Sequence, residues 1–112
     1  MNQTPEQFIE EMRQKARRFA SAKADRVRLE HYRKAKQAIL MKEAEKVGFN
    51  TAAAQEREAL ADPAYAELLE GLHAATVEEE TLKWELEAAR YRLDVWRTRM
   101  ASARQEKAAY GV

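Results

Sequence analysis

Between Tyr65 and Ala103, apolar side chains recur at alternating steps of three and four. They are Tyr65, Leu68, Leu72 and Ala75, then Leu82, Leu86, Ala89, Leu93, Trp96, Met100 and Ala103, and only Glu79 is out of pattern. This spacing puts them on one face of a helix, as in a coiled-coil seam. A second apolar row lies opposite, at Val77, Trp84, Ala88, Tyr91 and Val95. A helix apolar on two sides is buried between two neighbours. In a chain of 112 residues one neighbour is the other long helix, and the second is expected to be another subunit. Leu82, Leu86, Leu93, Trp96 and Met100, with Trp84 and Tyr91 opposite, are therefore the expected core and oligomer seam.

The rest of the chain reads as partners for this helix. Thr4-Pro5-Glu6-Gln7 combines a capping residue, a first-turn proline and the glutamine of a capping box. A long helix is predicted from there, over about 5–47, ending at Gly48 as a left-handed cap. Its apolar face is uneven. Phe8, Met12, Ala16, Phe19, Ala20 and Val27 lie on one side. Leu29, Tyr32, Ile39, Leu40 and Val47 lie about 140° round, at 100° per residue. The helix is thus expected to change partner or curve near residues 27–30. A turn with Asn50 or Thr51 as cap leads to a short helix at about 52–60. Asp62-Pro63 then opens a second long helix, to about 109. Gly71 and the capping-box pattern Thr76-Val77-Glu78-Glu79 mark where that helix would kink, near 74–76. The expected fold is all-α: an elongated hairpin of two long helices with a short linking helix, coiled-coil-like, completed by homo-oligomerisation.

Composition agrees with long helices: 35% of residues are charged, with three glycines and two prolines. The chain has no cysteine, which removes disulfides, thiolate nucleophiles and zinc knuckles, and suits the cytoplasm. Met1 to Phe8 lacks the basic and apolar regions of a signal peptide, and no apolar run is long enough to span a membrane. Catalytic chemistry is not evident. His31 and His73 stand apart in sequence, and neither neighbourhood assembles three or four converging metal ligands. Glu78-Glu79-Glu80 splay round a helix start, and the three glycines form no phosphate-cradling loop. No catalytic residue, metal site or cofactor is expected, and the chain reads as a non-enzyme.

A net charge of +1 conceals a strong asymmetry. Residues 13–36 hold ten basic side chains (Arg13, Lys15, Arg17, Arg18, Lys23, Arg26, Arg28, Arg33, Lys34, Lys36) against Asp25 and Glu30, a net of +8. Residues 55–80 hold eight acidic side chains against Arg57, a net of −7. Either the two regions meet, or the basic one meets something anionic. As a nucleic-acid site, Lys15, Arg17, Arg18, Lys23, Arg26, Arg28, Arg33, Lys34 and Lys36 would neutralise phosphates, and Phe19, Tyr32 and the aromatics of the last helix would stack single-stranded bases. Lys83, Arg90, Arg97 and Arg104 recur every seven residues, the first three each preceded by Glu80, Glu87 or Asp94. That row suits either i,i+3 pairs on a solvated face or an arginine stripe for phosphates.

The layout resembles a known family. A long basic first helix carries Val27-Arg28-Leu29-Glu30-His31-Tyr32-Arg33-Lys34 and Ile39-Leu40-Met41-Lys42. An Ala-rich link, an acidic stretch and a long helix follow, with Leu82-Lys83-Trp84 and Tyr91-Arg92-Leu93-Asp94-Val95-Trp96-Arg97. Over roughly residues 15–105 this is similar to the phage recombination mediators of the UvsY type. A Lys-Ala-Arg-Leu string late in the first helix of the family's founding member corresponds here to Leu40-Met41-Lys42-Glu43-Ala44-Glu45-Lys46, where Lys42 and Lys46 stand in, no arginine is present, and Glu43 and Glu45 oppose them. The resemblance implies an all-helical, ring-like homo-oligomer that binds single-stranded DNA. It further implies contact with a single-strand-binding protein and help in loading a RecA-like recombinase. Two other classes remain open: a structural or assembly coiled coil of a phage particle, and a small helical inhibitor of a protein partner.

Overall fold

The computed structural model describes residues 3–111. It is all-helical, with three helices in an extended arrangement: α1 (Pro5–Lys46), α2 (Ala52–Ala61) and α3 (Pro63–Tyr110). The described chain is a rod of 88 × 21 × 19 Å, a cross-section of about two packed helices.

Local chemistry sets each boundary. At the start of α1 the Gln7 amide donates to the Thr4 hydroxyl at 3.1 Å, and the Thr4 amide donates back to the Gln7 side chain at 3.0 Å. This reciprocal capping box satisfies two orphan donors. At the other end Gly48 takes φ +113°, a conformation that side chains with a Cβ rarely adopt, so the chain can turn and the Phe49 amide can return to the Ala44 carbonyl at 3.1 Å. Gln55 donates to the Phe49 carbonyl at 2.9 Å and braces the turn. Thr51 caps α2 by accepting from the Ala54 amide. Asp62 ends α2 and caps α3, accepting from the Ala64 amide at 2.8 Å, so one residue joins two helices. Helix α3 runs unbroken through Gly71 and Thr76, whose hydroxyl donates to the Leu72 carbonyl in the turn before it.

The α3 face turned to α1 follows the leucine series. Tyr65, Leu82 and Ala89 are buried, and Leu68, Leu72, Ala75, Leu86 and Leu93 are half-buried. Glu79, the odd member, is buried with them. The covered face of α1 differs from the apolar row expected to give way to a second row near residues 27–30. Its inward positions are Phe8, Met12, Lys15, Phe19, Ala22, Arg26 and Leu29, one uninterrupted three–four series, while Ala16, Ala20 and Val27 are exposed. The series is hidden in the sequence because Lys15 and Arg26 occupy it, their stems packing and their charges satisfied at the edge. Toward its end α1 does take a second partner: Leu40 packs with Ala59 of α2 and Tyr65 of α3, and Met41 rests against them.

The two long helices are antiparallel. Phe8 lies under the Arg92 guanidinium at 5.5 Å, Lys15 meets Glu85, and Arg26 meets Glu79. Because α1 starts beside Arg92–Trp96, α3 continues past it. Residues Arg97–Tyr110 have no α1 segment opposite and are all exposed, a helical extension of about 21 Å.

Candidate nucleic-acid interface

The α1 cations divide into two groups once the helix is packed. The first group is engaged within the chain. Lys15, half-buried, sits between Glu11 at 3.6 Å and Glu85 at 3.7 Å. Arg18 donates to Glu78 at 3.0 Å. Arg26 donates through Nε and a terminal nitrogen to both oxygens of Glu79, and reaches Glu30 at 3.2 Å. The hydrogen bonds from Arg26 hold the Glu79 carboxyl below its ordinary pKa against the opposing effect of burial, and hold the Arg26 guanidinium above its own. The basic run and the acidic stretch thus meet each other, within one chain.

The second group faces water. Arg17, Lys23, Arg33 and Lys34 are exposed, and Lys36 is half-buried; none forms an ion pair with a carboxylate among the described residues. Arg28 is exposed and touches only Asp25, at 3.7 Å. Such an exposed pair contributes little and leaves the arginine available. Among these cations stands Tyr32, 46% exposed, next to Arg33 and Lys34 and one turn from both Arg28 and Lys36. Phe19, the other aromatic candidate on α1, is half-buried in the seam and less open to a base.

On α3, Arg90 pairs with Glu87 at 3.6 Å and Arg97 with Asp94 at 3.9 Å, both i,i+3 on the same helix. These are the solvated-face pairs anticipated for that row. Lys83 lies over the Trp84 ring at 5.6 Å. Trp84 and Tyr91 are 63% and 67% exposed, and Val77 and Val95 beside them are half uncovered. The second apolar row of α3 therefore exists as a surface. The seam positions Trp96 and Met100 are also exposed in the single chain, because α1 begins beside Arg92–Trp96 and does not extend over them.

His31 and His73 are exposed, and among the described residues no group of three or more His, Cys, Asp or Glu is placed to hold a metal ion. Among the same residues no helix is long and apolar enough to cross a membrane. Sequence reasoning missed that Arg26 and Glu79 form one unit. The signal was there: Glu79 is the one polar position in the α3 seam, and Arg26 falls in the matching α1 series.

No protein-family model matches the chain, and neither a curated protein nor a solved structure matches it.

Proposed function

We propose that this chain is a non-catalytic, single-stranded-DNA-binding protein that works as a homo-oligomer, in the manner of a phage recombination mediator. In that role it would help a RecA-like recombinase assemble on DNA held by a single-strand-binding protein. One observation carries the DNA-binding part: Arg17, Lys23, Arg33 and Lys34 remain exposed and without an ion pair on α1, Arg28 holds only an exposed pair with Asp25, and the exposed ring of Tyr32 stands near Arg28, Arg33 and Lys34. Cations supply phosphate contacts without sequence preference, and an exposed aromatic supplies a base platform. The mediator part rests on the layout of a basic first helix followed by a long Trp- and Arg-bearing last helix.

Fluorescence anisotropy with a labelled single strand, over a series of salt concentrations, tests the first part. Binding is expected to ignore base sequence and to weaken with a log–log slope of about −0.7 per phosphate neutralised. The variant combining Arg28→Glu, Arg33→Glu and Lys34→Glu is expected to lose binding while keeping its helicity and mass. Arg26 is left out of that set, because reversing it would place two carboxylates together in the seam. Salt-insensitive or absent binding by the native protein rules the reading out. The mediator part is tested by recombinase filament assembly on DNA coated with single-strand-binding protein, with and without this protein.

A second reading is favoured by a different feature. The exposed row of Val77, Trp84, Tyr91 and Val95 suits a structural or assembly coiled coil. Oligomerisation without any affinity for DNA would select it.

A further inference from the structure

The α3 extension has the composition of an interface, with no α1 residue opposite it among the described residues. Its inward series does not stop where α1 stops. Leu93, Trp96, Met100, Ala103, Lys107 and Tyr110 continue the alternation of three and four without a break. Beyond Leu93 every one of them is exposed, with Tyr110 at 80%. A groove of about 430 Å³ runs along this side between Met100, Ala103, Lys107 and Tyr110. Where α1 begins, a second groove of about 340 Å³ is lined by Pro5, Phe8, Leu93 and Trp96. The 14-residue extension from Arg97 to Tyr110 continues α3 without tertiary contacts of its own, and a partner covering its apolar side would supply the packing that stabilises most helices in proteins.

We propose that this extension pairs with the same extension of a second copy, antiparallel and about a two-fold axis, so that Tyr110 of each copy fills the groove at the start of α1 in the other. Three features choose a second copy as the occupant. First, the surface is the direct continuation of the α1–α3 seam, so the side chains already fit an antiparallel helix of this kind. Second, one antiparallel register pairs every seam position, although on one flank it sets Arg97 across from Arg104 of the second copy. Leu93 then faces Tyr110 of the second copy, Trp96 faces the stem of Lys107, and Met100 faces Ala103, large against small at the centre. Third, that register brings Arg99 of each chain across from Glu106 of the other. A two-fold contact makes each of these pairings twice, because the surface is complementary to itself. The inference rests on the homo-oligomer part of the functional reading and not on its DNA-binding part.

Salt separates the two. The extension carries Arg97, Arg99, Arg104 and Lys107 against Glu106, a net of +3, so joining two copies brings like charge together. Screening that repulsion tightens the pair, whereas salt weakens a phosphate contact.

The experiment is sedimentation velocity and small-angle X-ray scattering on the full chain, over a concentration series at low and high salt. The expected result is a dimer that strengthens with salt. Two rods of 88 Å overlapping by about 27 Å give a maximum dimension of roughly 150 Å. Tyr110→Ala and Met100→Glu are each expected to raise the dimer dissociation constant by about tenfold or more, with unchanged helicity by circular dichroism. Trp84→Ala, on the other side of α3, is expected to leave it unchanged. A monomer at all concentrations up to about 100 μM overturns the proposal, since a seam this apolar should pair well below that. So does a side-by-side dimer barely longer than one chain and abolished by Trp84→Ala. If Met100→Glu lowers affinity for single-stranded DNA while the native protein stays monomeric, the extension is a DNA contact and the pairing is wrong. Failure of DNA binding with an intact, elongated dimer would leave this inference standing and remove only the DNA reading.

Discussion

Leu82→Ala tests the hairpin where it is most tightly closed. Leu82 is 1% exposed and is the largest fully buried side chain of the described residues. Removing a buried leucine side chain loses its transfer free energy and leaves a cavity, together ~2.7–5 kcal/mol in enclosed sites. The rod is only about two helices thick, so the site can relax, and the expected loss is about 3 kcal/mol, near the low end of that range. For a chain of this size that amounts to a fall of about 10–15 °C in melting temperature. The contrast is Trp84→Ala. Tryptophan is much larger, but this one is 63% exposed, and its removal leaves no enclosed space. The expected loss is about 1 kcal/mol or less. Urea unfolding followed by circular dichroism, at a dilute protein concentration to isolate the single chain, gives both numbers. A Trp84 variant less stable than the Leu82 variant would mean that α1 packs on the other face of α3, and the whole antiparallel arrangement would fall with it.

Gly71 is exposed in the middle of α3 with open space where a Cβ would go, so Gly71→Ala is expected to stabilise the chain by ~0.5–1 kcal/mol; a loss in urea midpoint would count against an unbroken helix there. Glu79 has its pKa lowered in the folded chain, chiefly by the hydrogen bonds from Arg26, so its contribution is present above the unfolded value and lost as pH falls through the folded one. Stability of the native chain should therefore drop as pH falls below about 4.5, and Glu79→Gln, less stable at neutral pH, should show a shallower drop in urea midpoint over that window. Parallel profiles for the two proteins would remove Glu79 from the account. Reversing Arg90 and Arg97 together breaks only exposed i,i+3 pairs, so single-stranded DNA affinity is expected to change far less than on reversing Arg28, Arg33 and Lys34; the opposite order in anisotropy titrations would move the site to α3.

Much of the fold is legible in the sequence, because helix signals are local. Thr4, Gly48, Thr51 and Asp62 act at the places their chemistry suggests, and the α3 seam appears at the residues whose spacing announces it. The α1 seam was harder to read. Apolarity alone traced it through Ala16, Ala20 and Val27, which are exposed, and missed Lys15 and Arg26, whose long stems pack while their charged ends find carboxylates. Spacing alone does not say which seam positions the chain covers by itself: Trp96 and Met100 are exposed in the single chain, because burial depends on how far the partner helix extends and α1 starts too late to cover them. The candidate site was legible as a charge excess but not as a surface. Composition cannot say that Arg18 and Arg26 are engaged with Glu78 and Glu79 while Arg33 and Lys34 are not.

That division of the cations gives the charge asymmetry two roles. Lys15–Glu85, Arg18–Glu78 and Arg26–Glu79 all cross between α1 and α3, and one antiparallel alignment makes all three. Two long helices with regular seams have several nearly equivalent alignments, each one heptad from the next. Sliding α1 by a heptad one way would set Glu79 against Phe19 and leave its carboxylate buried and unpaired; sliding it the other way would offer Glu79 Arg33, but would set Asp25 against Glu78 and Ala22 against Glu85. A carboxylate buried without its partner is far worse than a paired one, so the misaligned hairpins are selectively penalised even if the correct pair adds little net stability. On this argument, replacing Arg26 with Met and Glu79 with Leu together should preserve or raise stability while loosening the register. Paired spin labels on α1 and α3 would then report a broader distance distribution than in the native chain. A sharp native distance in the double variant would show that the apolar seam alone sets the alignment, and that the basic run exists only for what it meets outside the chain.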